Sequence, residues 1–249
     1  MNASRIQTRR QFLEGAAAAV GAAFAGCASA PPSAPATALA PVPGPVKAVD
    51  LSYAPPAGFV ATPGPRAVMP AGVDGVIPRK AWTAAGPAKP MLPMDGVALL
   101  TFHHDGDPQA FYQDAYAPTA QYLERIRAYH AREGFQDIGY HYAIDRSGRV
   151  WQLRPVAWRG EHVRADLDPS HVLHKWNDHN VGVVVLGNFM LQAPTDAQRQ
   201  TIVSFGARLR KQYQLAISQV KVHQELVSTE CPGVHLRPYL DRVRQQGMI

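Results

Sequence analysis

The sequence predicts an α/β protein of mixed α+β character, in which helices flank a central mixed sheet. Two near-continuous apolar runs of strand length, residues 97–102 and 181–186, are typical of buried strands. Two longer segments, 120–133 and 196–213, carry apolar residues at helical spacing and are predicted to pack one face against the sheet. Strands and helices alternate without a repeating βαβ period, which favours a mixed sheet.

Local signals set the limits of the first helix and of a hairpin. Thr119 is a predicted N-cap for the helix over 120–133, and Gly134 is its predicted stop. Two short apolar segments, 140–145 and 149–153, flank Arg-Ser-Gly, a turn that contains glycine. This pattern predicts a β-hairpin.

The second half of the chain is interpreted in the same way. Thr195 or Asp196 is expected to cap the helix over 196–213. Residues 220–223 predict a short edge strand, and residues 237–246 predict a terminal helix.

The first 27 of the 249 residues resemble an export signal, with a basic head followed by a small-residue apolar segment. Thr-Arg-Arg-Gln-Phe-Leu at 8–13 is similar to a twin-arginine signal, whose translocon carries folded proteins. Phe-Ala-Gly-Cys at 24–27 resembles a bacterial lipobox, so Cys27 is a predicted lipidation site; cleavage after Ala30 is the alternative. We therefore expect an exported, periplasmic protein with a lipid anchor in the outer membrane.

Residues 28–72 are dominated by Pro, Ala and Gly, whereas residues 73–249 carry the signals of a folded domain. A composition so poor in large apolar residues does not offset the entropy cost of ordering the chain. We expect a semi-extended tether between the predicted anchor and the domain.

The charge balance narrows the class of partner. Lys and Arg number 25 against 19 Asp and Glu, which gives a net charge of +6. This excess of positive charge suits an acidic polymer as partner. The sequence has no Lys/Arg run and no alternation of aromatic and basic residues, so it does not indicate nucleic-acid binding. The sequence has no stretch of 18 or more apolar residues free of Gly and charge, so we expect no membrane span in the mature protein.

A histidine and a cysteine eight positions apart, His223 and Cys231, indicate a metal site. Imidazole and thiolate are ligands that zinc favours, and Pro-Gly at 232–233 predicts a turn that holds the sulfur at a loop end. The predicted strand ending in His103 and His104 offers a third ligand at the rim of the sheet. Adjacent strand residues face opposite sides, so only one of this pair is expected to bind, and parity alone does not choose between them.

Two histidines and one thiolate leave one zinc position open, which is typical of a catalytic site. Such an ion polarises a carbonyl and activates water, as amide hydrolysis requires. The chain has two cysteines, and because Cys27 belongs to the export segment we expect no disulfide with Cys231. We find no His-Glu-x-x-His helix, no Gly-x-Ser-x-Gly elbow and no phosphate-binding glycine loop.

Five blocks in order resemble the zinc-dependent N-acetylmuramoyl-L-alanine amidase family, which includes phage amidase lysozymes and peptidoglycan recognition proteins. They are Pro-Arg-Lys-Ala-Trp at 78–82, Leu-Leu-Thr-Phe-His-His at 99–104, Asp-Ile-Gly-Tyr-His-Tyr-Ala-Ile at 137–144, Asn-Val-Gly-Val-Val-Val-Leu-Gly-Asn-Phe at 180–189, and His223 with Thr-Glu-Cys-Pro-Gly at 229–233. The resemblance covers residues 77–249. It implies hydrolysis of the amide bond between N-acetylmuramic acid and the L-alanine of the stem peptide, in peptidoglycan or muropeptides.

By position, the resemblance implies that His103, His223 and Cys231 bind Zn²⁺. It places the family's tyrosine at Tyr140, where the side chain would orient water or hydrogen-bond a developing oxyanion. The position two before the cysteine, Lys or Thr in relatives, is Thr229, the second candidate catalytic residue. Its neutral hydroxyl can position substrate but supplies no full charge.

The resemblance also bears on substrate binding and on the general base. The segment 158–162 is similar to the cleft segment of intracellular and outer-membrane amidases, so Trp158 and His162 are candidate substrate contacts, as is Asn188 at the end of the fourth block. One branch of the family has a glutamate as general base where this chain has Val184. Proton transfer would then rest on the zinc site with Tyr140, or on a residue such as His162 or His174.

Two other functions are open to such a chain. A tethered, non-catalytic peptidoglycan-binding protein is the first, but non-hydrolysing relatives typically lack the metal cysteine, which is present here as Cys231. A structural lipoprotein that links the outer membrane to the wall is the second, and the tether suits it. The full ligand set favours the enzyme.

Overall fold

The computed structural model describes residues 75–163 and 176–249. The predicted export segment with Cys27, the predicted tether and His174 lie outside the described residues. Within these ranges the strands are β1 (Val76–Ile77), β2 (Leu99–His104), β3 (Tyr142–Ile144), β4 (Val150–Gln152), β5 (Asn180–Val185) and β6 (Val220–Val222). The α-helices are α1 (Tyr116–Arg132), α2 (Asp196–Gln212) and α3 (Arg237–Gln245). None of the described helices is both long enough and apolar enough to cross a bilayer.

The six strands form one mixed sheet in the order β1-β4-β3-β5-β2-β6. Strands β3, β5, β2 and β6 run parallel to one another, whereas β4 is antiparallel to β3 and β1 is parallel to β4. The predicted mixed sheet is therefore confirmed, and so are the β3–β4 hairpin and the edge position of β6. Strand β2, which carries the histidine pair, lies between β5 and β6.

Helices cover both faces of the sheet. On the face that we call the α2–α3 face, a buried apolar cluster joins strand residues to the two later helices. Its members include Leu100, Phe102, Val181, Val183, Val185, Ile202, Phe205, Leu209, Leu240 and Val243. On the opposite face, the α1 face, a second cluster includes Leu123, Ile138, Ala143, Trp151, Val184 and Leu186. Side chains alternate along each strand, so neighbouring residues of β2 and β5 belong to different faces.

Helix α2 begins as the sequence predicts. The Thr195 hydroxyl accepts the backbone N–H of Gln198, whose side chain in turn accepts the Thr195 N–H. This reciprocal pair satisfies two N–H groups that have no partner within the helix. The polar cap thus fixes the start of the helix that buries Phe205 and Leu209.

The expected start of α1 was wrong. The helix begins at Tyr116 with Ala115 as N-cap, and Thr119 lies inside its first turn, where its hydroxyl donates to the Ala115 carbonyl. Pro118 is compatible with this start, since the first turn of a helix needs no N–H donor from that position. Strands β2 and β5 also differ from their expected limits, and β2 extends through both histidines.

Candidate metal centre

Three predicted ligands meet where β2 and β6 end. His103 is the fifth residue of β2, and His223 follows directly on β6, which pairs with β2 up to Phe102 and Val222. The ring centroids of the two histidines are 4.5 Å apart, and Nδ1 of His103 lies 3.7 Å from Sγ of Cys231. One ligand atom from each of the three lies within 4.8 Å of the others. This spacing allows a single ion to contact all three.

The structure selects His103 from the adjacent histidine pair. His104 turns to the other side of the strand, where Nδ1 accepts the backbone N–H of Phe189 at 3.2 Å and the ring stacks on Phe189. Its own backbone N–H points to Sγ of Cys231 at 3.3 Å. A donor at this distance would stabilise a thiolate. The ring of His104 is not among the three donors that lie within 4.8 Å of one another.

The turn after Cys231 forms as the sequence predicts. Gly233 has a φ of 95°, and a Cβ there would lie 2.5 Å from the carbonyl carbon of Phe189. Glycine is therefore required for both the backbone conformation and the close approach. The cysteine carbonyl accepts the N–H of Gln224 at 3.1 Å, which ties the loop to the segment that carries His223. Cys231 forms no disulfide within the part of the chain that the structure describes.

Burial favours the neutral form of the two histidines in the cluster. It lowers the pKa of His103 well below its ordinary value, and the neighbouring His223 and His162 lower that pKa further. Burial also lowers the pKa of His223 to about 4. A neutral imidazole has a lone pair available for a metal, whereas an imidazolium has none.

The donor set fits zinc. Two neutral imidazoles and a cysteine sulfur match the ligands that zinc prefers, with one position left for water or substrate. Nε2 of His223 is buried and has no hydrogen-bond partner among the described residues. Among the described residues, no hydrogen bond at Nε2 of His223 therefore competes with a metal for this ring.

A second group of histidines lies behind the ligands. His162 is buried, with Nδ1 3.0 Å from Nε2 of His103 and Nε2 3.0 Å from the carbonyl oxygen of Asn180. His141 accepts the N–H of Gly182 at Nδ1 and donates from Nε2 to the Trp158 carbonyl, both at 3.0 Å. Burial lowers the pKa of His141 to about 3. Both rings are thus held by their nitrogens.

Tyr140 lies beside the metal ligands. Its ring centroid is 5.3 Å from that of His103, and the side chain is partly exposed. A phenol in this position can reach a group bound next to the ligands and still be accessible to solvent. The structure therefore brings Tyr140 into the site, as the resemblance implied, and its catalytic role stays a prediction.

Of the remaining predicted site residues, Thr229 has a hydrogen bond to one of the three candidate ligands. The Thr229 hydroxyl accepts the N–H of Cys231 at 3.3 Å, so it touches the ligand loop. Trp158 is linked to the site through its carbonyl, which His141 contacts.

Asn188 contacts a different loop: its side-chain amide donates to the Asp107 carbonyl and accepts from the Met190 N–H, each at 3.0 Å. Substrate binding by Trp158 and Asn188 stays a prediction, as it does for His162.

Val184 occupies the position of the absent glutamate. It pairs with His103 across β2 and β5 and is fully buried in the cluster on the α1 face. Paired residues of neighbouring strands point to the same side, so an apolar side chain lies next to the first ligand. No carboxylate is supplied from this position.

Three residues around the site have contacts that the sequence did not indicate. His104 was a candidate ligand, whereas His141 and Asn177 had no predicted role. The Asn177 carboxamide oxygen accepts the N–H groups of His162 and Val163, at 3.2 and 3.0 Å, and its NH₂ donates to the Val163 carbonyl at 2.8 Å. Contacts of this kind join distant segments through single side chains, so no periodicity in the sequence indicated that they would form.

Comparisons with known proteins agree with this geometry. Residues 93–234, more than half of the chain, match the Amidase_2 family, described as N-acetylmuramoyl-L-alanine amidase. A peptidoglycan-recognition protein of Drosophila melanogaster is 30% identical over 166 residues, which cover 65% of this chain and 82% of that protein. The N-acetylmuramoyl-L-alanine amidase of Homo sapiens is 29% identical over 171 residues, 65% of this chain and 27% of that protein.

A solved structure shares the fold. Peptidoglycan recognition protein-LE, in complex with tracheal cytotoxin (monomeric diaminopimelic acid-type peptidoglycan), superposes with a TM-score of 0.57 at 21% identity. The match covers 69% of this chain and 93% of that one. The sheet and its flanking helices are therefore those of this group of proteins.

Proposed function

Since the chain belongs to the N-acetylmuramoyl-L-alanine amidase family, we propose that it is a zinc-dependent peptidoglycan amidase. The bond cleaved would be the amide between N-acetylmuramic acid and the L-alanine of the stem peptide. The observation that carries the proposal is the convergence of His103, His223 and Cys231 within 4.8 Å. A protein that only binds peptidoglycan has no need of three metal donors in this arrangement.

The three ligands define what the site can do. His103 and His223 would hold zinc through neutral imidazoles, and Cys231 would hold it as a thiolate supported by the N–H of His104. When bound, zinc supplies Lewis acidity that polarises an amide carbonyl and makes water nucleophilic near neutral pH. The chain's own task is to keep the donors together and to leave one position accessible.

Tyr140 would act on the reacting amide. A phenol O–H close to the ligands can donate a hydrogen bond to the oxygen on which negative charge develops, which stabilises the transition state more than the ground state. Its ring lies 5.3 Å from that of His103, centroid to centroid, which supports this assignment. With Val184 in place of a carboxylate, proton transfer would depend on Tyr140 and on water at the open zinc position.

Thr229 would have the smaller share. Its hydroxyl already accepts the N–H of Cys231, and its O–H remains able to donate to a substrate carbonyl. Because the hydroxyl is neutral, it can orient the substrate but adds no full charge. Trp158 and Asn188 are proposed to contact the sugar or peptide beyond the reacting bond.

The experiment that tests the function is mass spectrometry of purified muropeptides incubated with the zinc-loaded protein and, in parallel, with a chelator. We expect free stem peptide and intact sugar in the first sample and neither in the second. Muropeptides that remain intact but stay bound to the zinc-loaded protein would replace the amidase with a recognition function. Muropeptides neither cleaved nor bound would reject both.

We further propose that the protein is exported and anchored to the outer membrane through lipidated Cys27, which rests on the signal-like sequence alone. The test is metabolic labelling with a radioactive fatty acid in a Gram-negative host, followed by membrane fractionation. Cys27→Ala should lose both the label and the outer-membrane fraction. Label that persists in Cys27→Ala would contradict the assignment of the anchor.

A further inference from the structure

A chain of two hydrogen bonds runs from β5 through two histidine rings to the metal centre. The carbonyl oxygen of Asn180 lies 3.0 Å from Nε2 of His162, and Nδ1 of His162 lies 3.0 Å from Nε2 of His103. A carbonyl oxygen can only accept a hydrogen bond, so Nε2 of His162 must carry the proton. In a neutral ring the other nitrogen, Nδ1, is then an acceptor.

The same reasoning sets the tautomer of the ligand. Nδ1 of His162 is an acceptor, so Nε2 of His103 must donate to it. The unprotonated nitrogen of His103 is therefore Nδ1, the atom that lies 3.7 Å from Sγ of Cys231. Its lone pair points to the place where the other metal donors meet.

We propose that His162 is a positioning residue of the metal centre, which fixes both the tautomer and the ring orientation of His103. A metal-binding histidine commonly donates its other ring N–H to an acceptor behind it, and this acceptor orients the ring and raises its basicity. Here the acceptor is a second imidazole, which is itself oriented by the Asn180 carbonyl. The inference rests on the proposed zinc site.

The surroundings of His162 are built to hold it. The Asn177 carboxamide makes three hydrogen bonds to the backbone of His162 and Val163. Two glycines provide room for the ring: a Cβ at Gly182 would lie 2.4 Å from its Cδ2, and a Cβ at Gly160 would lie 2.5 Å from the same atom. Gly182 pairs with Thr101, two residues before the ligand on the same face of the sheet.

Burial separates this role from direct contact with substrate. The relative exposure of His162 is 5%, and both ring nitrogens already have partners inside the protein. A side chain in this state acts on the reaction through His103. Its loss should therefore weaken metal binding whether or not substrate is present.

The test is a zinc competition titration with a chromogenic chelator on purified wild-type protein, His162→Leu and His162→Asn. Leu and Asn have nearly the same shape, but only Asn places an oxygen acceptor near the position of Nδ1. We expect zinc affinity to fall about 10–100-fold in His162→Leu, the usual cost of losing such a supporting group. His162→Asn should recover most of this loss, and His235→Leu, at an exposed histidine, should bind as wild type does.

A second measurement needs no variant and no activity. Long-range ¹H–¹⁵N NMR of the zinc-free wild-type protein should show the proton on Nε2 of both His103 and His162. A proton on Nδ1 of His103 would overturn the proposal, and so would equal zinc affinity in His162→Leu and the wild type. Failure of the wild-type protein to bind zinc at all would instead reject the proposed function, which keeps the two conclusions apart.

Discussion

Both faces of strands β2 and β5 are buried, but the two faces carry different side chains. On the α2–α3 face, alternate residues of β2 and β5 are Leu and Phe or Val, packed against apolar helix residues. On the α1 face the same strands present Thr101, His103 and Gly182, and hydrogen bonds replace much of the aliphatic packing. One face supplies stability, and the other positions functional groups. The period of two along a strand allows both tasks within six residues.

This comparison predicts that the two faces respond differently to substitution. The largest expected effect is at the candidate metal centre, whose His103 lies on the α1 face. His103→Ala and Cys231→Ser should each reduce hydrolysis to background, because each removes one of three proposed metal donors. Release of stem peptide, measured by mass spectrometry, checks this outcome. Wild-type turnover in either purified variant would contradict it, and His235→Ala serves as the control.

On the α2–α3 face, a substitution should lower stability without affecting zinc binding. Phe205→Ala should lower the free energy of unfolding by about 3–5 kcal/mol, because it removes a fully buried ring and leaves a cavity. Zinc affinity should remain unchanged, since this ring packs in the cluster on the face opposite the ligands. Denaturant unfolding and zinc titration measure the two quantities. Ser204→Ala, at an exposed position of the same helix, is the control and should alter neither stability nor zinc affinity. A loss of zinc affinity in Phe205→Ala would contradict the prediction and show that the two faces are coupled.

Gly182→Ala should affect both stability and metal binding, because it adds one methyl group to β5 on the α1 face. The new Cβ would overlap the His162 ring, so we expect a stability loss of about 1–3 kcal/mol together with weaker zinc binding. Gly86→Ala is the matched control, because a Cβ there would meet nothing within 4 Å. Stability lost without any loss of zinc affinity would indicate that the ring position does not matter to the ligand.

Near neutral pH the smallest expected effect is that of His141, which changes the stability of the protein only when the solution is acidified. Burial lowers the pKa of His141 from 6.5 to about 3. Between these two pH values, His141 is therefore protonated in the unfolded chain but neutral in the folded protein. The free energy of unfolding should therefore fall as pH decreases from 6.5 towards 3, with a contribution of up to about 1.4 kcal/mol per pH unit from this residue. Urea unfolding at several pH values should give a shallower slope for His141→Gln, while His235→Gln keeps the wild-type slope.

The sequence predicted the fold where local signals coincide with packing. The apolar runs of β2 and β5 indicated buried strands, and Thr195 with Gln198 forms the cap that begins α2. Thr119 misled because a threonine hydroxyl can also donate to the carbonyl four residues earlier, and it does so here. Local chemistry at that position is compatible with both arrangements.

The candidate metal donors could be predicted from the sequence, but the residues that contact them could not. The spacing of His223 and Cys231 indicated the metal site, whereas the choice between His103 and His104 needed the register of β2 with its neighbours. The contact between His162 and His103 joins residues 59 positions apart. The orientation of His162 depends on the Asn180 carbonyl and on the Asn177 side chain. No motif or periodicity in the sequence indicates either contact.

The position of β2 between β5 and β6 has a consequence for metal-free protein. His103 stands on a strand whose backbone is paired on both sides, whereas Cys231 belongs to a loop tied down by a few hydrogen bonds. Amides of a central strand exchange with solvent only through the rarest openings, and those of such a loop exchange through frequent local ones. Loss of zinc should therefore speed deuterium uptake around Cys231 and leave the amides of β2 almost as slow as before.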